Sequence, residues 1–452
     1  MQIIIVGCGK VGETLAKQLS KENHDVVIID TNSQKIQNVC NQIDALGVCG
    51  NGVSHVTLGD AGIKNTDLLI AVTGSDELNI LCCLIARKAG KCQTIARVRN
   101  YLFSEEVNFI KEELGLSMVI NPEQAAATEI ARLLRIPSAI EIDTFAKGRV
   151  EILKFKIENN SKLHNISVMD ISTKLKSDVL VCAVEREEKV TIPNGGFILQ
   201  AGDMISIVAS PQNASKFFSK IELANTQVKD VMIVGGGEIT YYLAKQLLSM
   251  GIKVKIIERN KERSEQLSEL LPKALIINGD GTDQNILDEE GIERIESFVS
   301  ATNIDEENII LSLFARSKTK GKVVTKINRV NYGEVIDNLN LGSIISPKNI
   351  TSEYILQYVR AMQNSLESNI ETLYSIIEDK AEALEFYIRE KSSIVGVPLE
   401  KLKLKKNILI SCINHNGKII FPGGQDMIAV GDTVIVVTTN TGYKDISDIL
   451  EK

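Results

Sequence analysis

Two short segments of this chain repeat one glycine-rich pattern followed by an acid, a spacing suited to holding phosphate. In Met1–Gly12 (MQIIIVGCGKVG) an apolar run breaks into Gly7, Cys8, Gly9, Lys10 and Val11, and Asp30 closes the following run DVVIID. In Val231–Thr240 (VMIVGGGEIT) the same break is Gly235, Gly236, Gly237, Glu238 and Ile239, and Glu258 closes KVKIIE. Gly7 to Gly235 and Asp30 to Glu258 are the same distance apart, 228 residues. Gly7 permits a tight strand-to-helix turn, Gly9 lets backbone approach a pyrophosphate, and Gly12 keeps helix and strand close. The helix that follows offers free N–H groups and the positive end of its dipole to phosphates. An acid at the end of the second strand accepts hydrogen bonds from an adenosine ribose and repels a 2′-phosphate. That favours NAD(H) over NADP(H), while ATP or ADP, with the same ribose, stays equally admissible.

Other residues are expected at the rim of the same crevice, because ligands of open α/β sheets sit beyond the carboxyl ends of strands. Asn51 and Gly52 follow the third apolar run, Thr73 and Gly74 the fourth, and Arg97 ends the fifth. Arg97 has the fork geometry to hold a terminal phosphate through two N–H bonds. The second copy departs from the first: Thr240 stands for Gly12, Asp280 for Asn51, Thr302 for Thr73 and Lys326 for Arg97. A β-branched side chain at a close contact and an added negative charge leave open whether that copy holds a nucleotide.

The elements that must position these groups follow from periodicity. Strands are expected at Gln2–Val6, Asp25–Ile29, Ala45–Val48, Leu68–Val72, Thr94–Val98 and Met118–Ile120, with helically spaced apolar residues such as Val11, Leu15 and Leu19 between them. That alternation predicts a parallel sheet covered on both faces. A helix is expected over Pro122–Arg135, stopped by Pro137, with a partner at Pro347–Arg360. Its face of Ala125, Ala126, Ile130, Leu133 and Leu134 suits either a contact between paired modules or ordinary core packing. Beyond Pro137, Ile140–Ile157 and Val179–Val190 alternate as antiparallel strands do, and a Gly-Asp turn ending at Asp203 recurs at Asp432. The fold class is therefore α/β: two Rossmann-like doubly wound parallel sheets, each followed by a small α+β subdomain. The expected boundaries are 1–139, 140–222, 229–366 and 367–452, with Leu223–Lys229 as a linker.

Composition narrows the function classes. A net charge of −7 leaves no basic stripe for nucleic acid. No apolar run approaches the roughly 20 residues of a membrane span, and the first residues enter a strand with no secretory signal. The eight cysteines include no C-x-x-C pair and read as buried reduced thiols of a cytosolic protein. His24, His55, His164 and His415 form no ligand cluster.

With AVTGSDELN (Ala71–Asn79), IARVRN (Ile95–Asn100), NPEQAAATEIARLL (Asn121–Leu134) and the Gly-Asp turns in view, the chain resembles the RCK, or KTN, family in its tandem form. The resemblance implies a cytoplasmic regulatory subunit, not an enzyme, peripheral at the inner face of the cell membrane. It implies a homotetrameric ring beneath a membrane potassium transporter subunit (TrkH-like), gated by NAD(H), ATP or ADP. The family's nucleotide residues carry over to Gly7 through Val11, Asp30, Asn51, Thr73, Gly74 and Arg97, and to Gly235 through Ile239, Glu258, Asp280 and Thr302. Glu123 falls where some relatives place a carboxylate near the nucleotide or a cation; a first-turn glutamate favoured by the helix dipole is the other reading. Two alternatives stand beside this. A stand-alone nucleotide sensor of another channel or antiporter would share every motif. An NAD-dependent dehydrogenase would need a poised acid or base, and the segments of about 80 residues after each nucleotide fold, the size of a small interaction domain, show none.

Overall fold

The computed structural model describes residues 1–100, 111–145, 149–187, 189–222, 228–328, 339, 341–364, 370–376, 380–415, 417–440, 443 and 445–451. The expected linker at Leu223–Lys229 lies mostly outside them, as does the expected boundary at 366. The chain divides into two compact units, and each is built from both halves of the sequence: Met1–Ala131 with Lys229–Leu356, and Arg132–Val228 with Gln357–Lys452.

In the first unit, six strands of the first half form one sheet: β1 (Gln2–Val6), β2 (Asp25–Asp30), β3 (Ala45–Cys49), β4 (Leu68–Ala71), β5 (Gln93–Arg97) and β6 (Met118–Ile120). The order is β3-β2-β1-β4-β5-β6, and every pairing is parallel. Ile3, Ile4 and Ile5 are all fully buried, so β1 is covered on both faces, as a central parallel strand must be. Strand order reverses between β1 and β4, which opens a crevice at their carboxyl ends. β3 is one of the two edge strands, and Leu46 and Cys49 are exposed there. Six of the eight cysteines are buried as expected; Cys49 and half-buried Cys40 depart from it because they border this open edge. Burial raises the Cys82 thiol to about 12 and those of Cys8 and Cys92 to about 11.

The second unit opens with β7 (Glu141–Phe145), β8 (Val150–Lys156), β9 (Leu180–Arg186), β10 (Lys189–Thr191) and β11 (Met204–Ala209), an antiparallel sheet ordered β10-β9-β11-β8-β7. The first unit's second sheet is β12 (Asp230–Val234), β13 (Lys253–Glu258), β14 (Leu275–Asn278), β15 (Ser297–Ser300), β16 (Lys322–Lys326) and β17 (Ser343–Ile345). Its order, β14-β13-β12-β15-β16-β17, repeats the first. The last sheet, β18 (Ile370–Ile376), β19 (Ala381–Tyr387), β20 (Ile408–His415), β21 (Lys418–Ile420) and β22 (Thr433–Thr438), repeats the antiparallel topology. Phe145, Ile152 and Val208 of one antiparallel sheet share a core with Ala383, Ile435 and Val437 of the other. The two Gly-Asp turns have a structural task. Asp203 takes a bidentate bond from Arg186 at 2.7 Å and one from the Gln200 N–H at 2.8 Å, and Asp432 holds His415 Nδ1 at 2.5 Å and the Ala429 N–H at 2.8 Å.

Within the first unit the two parallel-sheet domains touch through Pro122–Arg135. Asn121 Nδ2 donates to the Tyr242 hydroxyl at 2.9 Å, and that hydroxyl donates to the Arg99 carbonyl at 3.3 Å. Gln246 reaches Thr128 at 3.1 Å, and the Tyr354 hydroxyl reaches Glu129 at 3.5 Å. Ala126, Ile130 and neighbouring Ala127 are fully buried, so the helix combines core packing with a polar seam. Tyr242→Phe removes that hydroxyl while Asn121 keeps its second acceptor, the Arg99 carbonyl at 3.2 Å. Chemical denaturation should register a loss near the low end of about 0.5–1.5 kcal/mol.

Candidate nucleotide site

The first glycine turn is built as its spacing demands. Gly7 has φ +105°, and a Cβ there would stand 3.0 Å from the Thr73 nitrogen. A Cβ on Gly12 would fall 1.9 Å from the Gly7 carbonyl oxygen, so the helix Lys10–Lys21 can lie this close only with glycine at that position. Gly9 behaves differently: a Cβ there would meet nothing within 4 Å, which leaves the backbone open to solvent on its ligand side. Gly9 caps the helix without a side-chain hydrogen bond, whereas the helices Ser33–Cys40 and Asp76–Gly90 are capped by Asn32 and Ser75. The first-turn N–H groups at Lys10 and Val11 therefore lack a side-chain acceptor, the condition that favours an anion.

Asp30 ends β2 beside this turn and already organises it. Its Oδ2 accepts from the Cys8 N–H at 2.7 Å and its Oδ1 from the Asn32 N–H at 2.8 Å. Each carboxylate oxygen keeps a further lone pair for a ribose hydroxyl. Asn51 is exposed after β3 and accepts the Val53 N–H at 3.2 Å. Gly52 follows it, and the core leaves no room there for a side chain, because a Cβ would strike Val6 Cγ1 at 2.3 Å. Gly74 has open space around it, and its carbonyl is held by Arg99 Nη2.

Spacing did not reveal what ties the rim together. Asn79 is fully buried and accepts from both the Thr73 N–H (2.8 Å) and the Thr73 hydroxyl (2.7 Å) while donating to the Arg97 carbonyl at 2.8 Å. One amide thus bolts the ends of β4 and β5. Asn308 repeats the arrangement, with 2.9 Å from the Thr302 N–H and 3.0 Å to the Lys326 carbonyl. Asp76 adds a second brace by accepting the Arg99 and Asn100 N–H groups at 2.9 and 2.8 Å. The sequence signal was the aspartate and asparagine that recur three residues apart in both copies, D-x-x-N at Asp76 and at Asp305.

Arg97 and Glu123 meet at the mouth. Arg97 Nη2 lies 3.7 Å from Glu123 Oε1, and both side chains are less than one-fifth exposed. Arg97 Nε and Glu123 Oε2 are buried without a hydrogen-bond partner among the described residues. Burial pushes the Glu123 carboxyl up, against the lowering effect of Arg97, and pushes Arg97 down. The pair borders a cavity of about 270 Å³ lined by Gly9, Lys10 and Val11 from the first domain and by Asn328, Pro347 and Lys348 from the second.

The second turn keeps the backbone geometry, with Gly235 at φ +101°. Thr240 brings a Cβ that the spacing of the first copy would not admit; the side chain is fully buried and its hydroxyl donates to the Gly235 carbonyl at 2.5 Å. Glu258 copies Asp30, accepting the Gly236 N–H at 2.6 Å and the Asn260 N–H at 2.7 Å. A second cavity of about 270 Å³ is lined by Gly235, Gly236, Gly237, Glu258, Asp280 and Thr302 among others. Glu238 and Ile239 begin the helix Glu238–Ser249 beside it, and Glu238 is tied to Arg263 at 3.1 Å. Its charge differs from the first. Hydrogen bonds from the Thr282 N–H and hydroxyl hold the Asp280 carboxyl below its usual range, so a fixed negative charge faces the cavity. The Lys326 ammonium is engaged by the Thr302 carbonyl at 3.1 Å and Asn303 at 3.3 Å.

Residues 3–122 and 231–347 match the TrkA-N domain, and 152–222 and 383–451 match the TrkA-C domain. The chain belongs to the TrkA family. It is 33% identical to Trk system potassium uptake protein TrkA homolog 1 of Methanosarcina mazei, over 99% of each chain. It is 32% identical to the TrkA protein of Haemophilus influenzae, over 96% of this chain and 95% of that one. The fold is shared with the GsuK channel bound to NAD (TM-score 0.62, 17% identity, 97% of this chain and 76% of that chain). The tandem RCK resemblance is thereby borne out, and the chain is a potassium-transport regulatory protein rather than an enzyme. Among the described residues no helix is long and apolar enough to cross a membrane.

Proposed function

We propose that the chain is a cytoplasmic subunit, peripheral at the inner face of the cell membrane, that gates a membrane potassium transporter through nucleotide-dependent changes in a homotetrameric ring. The observation that carries this reading is the cavity at Arg97. Its walls come from both parallel-sheet domains, so a group bound there has unequal contacts when the domains shift. Only such differential affinity can move a conformational equilibrium. NAD(H), ATP or ADP would lie with phosphates on Gly7, Cys8, Gly9, Lys10 and Val11 and ribose on Asp30. Asn51, Gly52, Thr73 and Gly74 would frame the cleft, and Arg97 would meet the terminal group. The uncapped helix start and the open backbone at Gly9 fit such a ligand.

The second turn, Gly235 through Ile239 with Glu258, Asp280 and Thr302, is geometrically able to take the same ribose. The ionised Asp280 makes it the weaker phosphate site. The partner is a TrkH-like membrane subunit, by extension from relatives named for Trk potassium uptake. Calorimetric titration of the purified chain with ATP, ADP, NAD and NADH tests the ligand half, with saturable heat for at least one of them as the expected result. Silence for all four would end the nucleotide reading. Co-purification with a membrane potassium transporter tests the partner half.

A further inference from the structure

We propose that the second parallel-sheet domain carries, at the end of its sheet opposite the glycine turn, a binding site for a small phosphorylated organic anion. A cavity of about 420 Å³ opens there, where β12 and β13 begin. That volume is within the range of small-molecule sites. Four cations line it: Lys253, Lys255, Lys273 and Arg294. Only Lys255 is neutralised, by Glu290 Oε2 at 2.7 Å. The other acid of the wall, Asp230, accepts the Glu296 N–H through Oδ1 at 2.9 Å and keeps its negative charge, so the lining sets four cations against two carboxylates. Lys253, Lys273 and Arg294 are exposed and make no side-chain hydrogen bond or ion pair among the described residues. With Lys255 paired to Glu290, three exposed cations outnumber the remaining Asp230 carboxylate, and the hollow has a net positive lining on a chain whose net charge is −7.

The duplication provides an internal control. Strand pairing places Lys253 where the first copy has Asp25, and Lys255 where it has Val27. By the same register Lys273 corresponds to Asp44, and Arg294 to Asn65 at the end of the matching short helix. The fold therefore does not need cations at these positions, because its other copy is built with two acids, a valine and an asparagine. The floor is apolar, with buried Val254 and Ile295, and Leu275 at the rim is 52% exposed. Lysines and a guanidinium fork suit phosphate oxygens, and the apolar floor suits a carbon skeleton. A soluble sugar or glycerol phosphate and an anionic phospholipid headgroup share this chemistry.

The test uses the full chain and two probes, glycerol 3-phosphate in calorimetry and phosphatidylglycerol vesicles in co-sedimentation, with phosphatidylcholine vesicles as blank. Lys253→Asp with Lys273→Asp restores the first copy's residues at exposed positions, and Arg294→Asn is a second, independent variant. The expected result is binding of at least one probe that both variants weaken, by about tenfold for the double variant. Rising salt should weaken it too, while thermal melting and nucleotide titration stay unchanged. Loss confined to glycerol 3-phosphate identifies a soluble ligand, and loss confined to vesicles identifies a headgroup; either supports the site. Binding of neither probe, or binding equal in wild type and both variants, overturns it.

Discussion

Asp30→Ala is expected to weaken nucleotide binding at the first turn by about 10- to 100-fold and to leave the chain folded. The carboxylate has two duties. It accepts the Cys8 and Asn32 N–H groups, which sets the path of the glycine turn, and in the proposed complex its remaining lone pairs would take the ribose hydroxyls. A hydrogen bond to a charged group contributes about 1.5–3 kcal/mol, and a factor of ten in affinity is about 1.4 kcal/mol. Loss of the ribose bonds alone reaches that range. The fold should survive because Asp30 is only half-buried at the carboxyl end of β2, outside the apolar core of Ile28 and Ile29. Asp30→Asn distinguishes the two duties: its amide keeps one acceptor for the turn but presents a donor to the other N–H. Its affinity should fall between the two. Calorimetry with whichever nucleotide binds wild type reads all three, and unchanged affinity in Asp30→Ala would remove this carboxylate from the site.

The residues readable in advance were those whose role is set by backbone conformation or by place along a strand. Gly7 could be assigned to the turn because only a residue without Cβ fits at φ +105° beside Thr73. Asp30, Glu258 and Arg97 were placed at strand ends because apolar runs terminate there, and the helix from Pro122 to Arg135 has the bounds its prolines dictate. What escaped were side chains whose partners come from elsewhere in the chain. Asn79 reads as an ordinary helical polar residue until β4 and β5 bring Thr73 and Arg97 to it. Tyr242 looks like one more apolar helix position, yet its hydroxyl is spent on the other domain. Thr240 was expected to add a β-branched side chain at the second turn, and what its type alone did not show is that its hydroxyl donates to the Gly235 carbonyl, the counterpart of the Gly7 carbonyl that a Cβ at Gly12 would strike. Gly52 was grouped with the ligand residues because it follows a strand, and its place in the sequence did not show that its missing side chain also makes room for Val6.

Arg97→Met should cost the first domain stability in a pH-dependent way and blunt any preference for a triphosphate. Arg97 is the largest favourable influence on the Glu123 charge, and burial opposes it. A carboxyl whose folded pKa lies above its unfolded value binds its proton more tightly when folded. That stabilisation is complete below the ordinary carboxylate range and is lost as pH rises through the folded value. Removing Arg97 raises the folded value further, so the deficit of the variant should be small near pH 5 and grow toward pH 8. Breaking a fully buried pair costs about 3–5 kcal/mol. This pair is separated by 3.7 Å and keeps some exposure, so a deficit of about 1–3 kcal/mol is expected. Arg97→Met with Glu123→Gln should recover most of it, since no uncompensated charge is left behind. Nucleotide discrimination should not recover with it, because the cation proposed to meet the terminal phosphate is still missing. Glu123→Gln alone, which frees that cation, should bind ATP at least as well as wild type. Equal pH profiles for wild type and Arg97→Met would show that the two side chains do not act on each other, and an unaltered ATP-to-NAD preference would place the terminal phosphate away from Arg97.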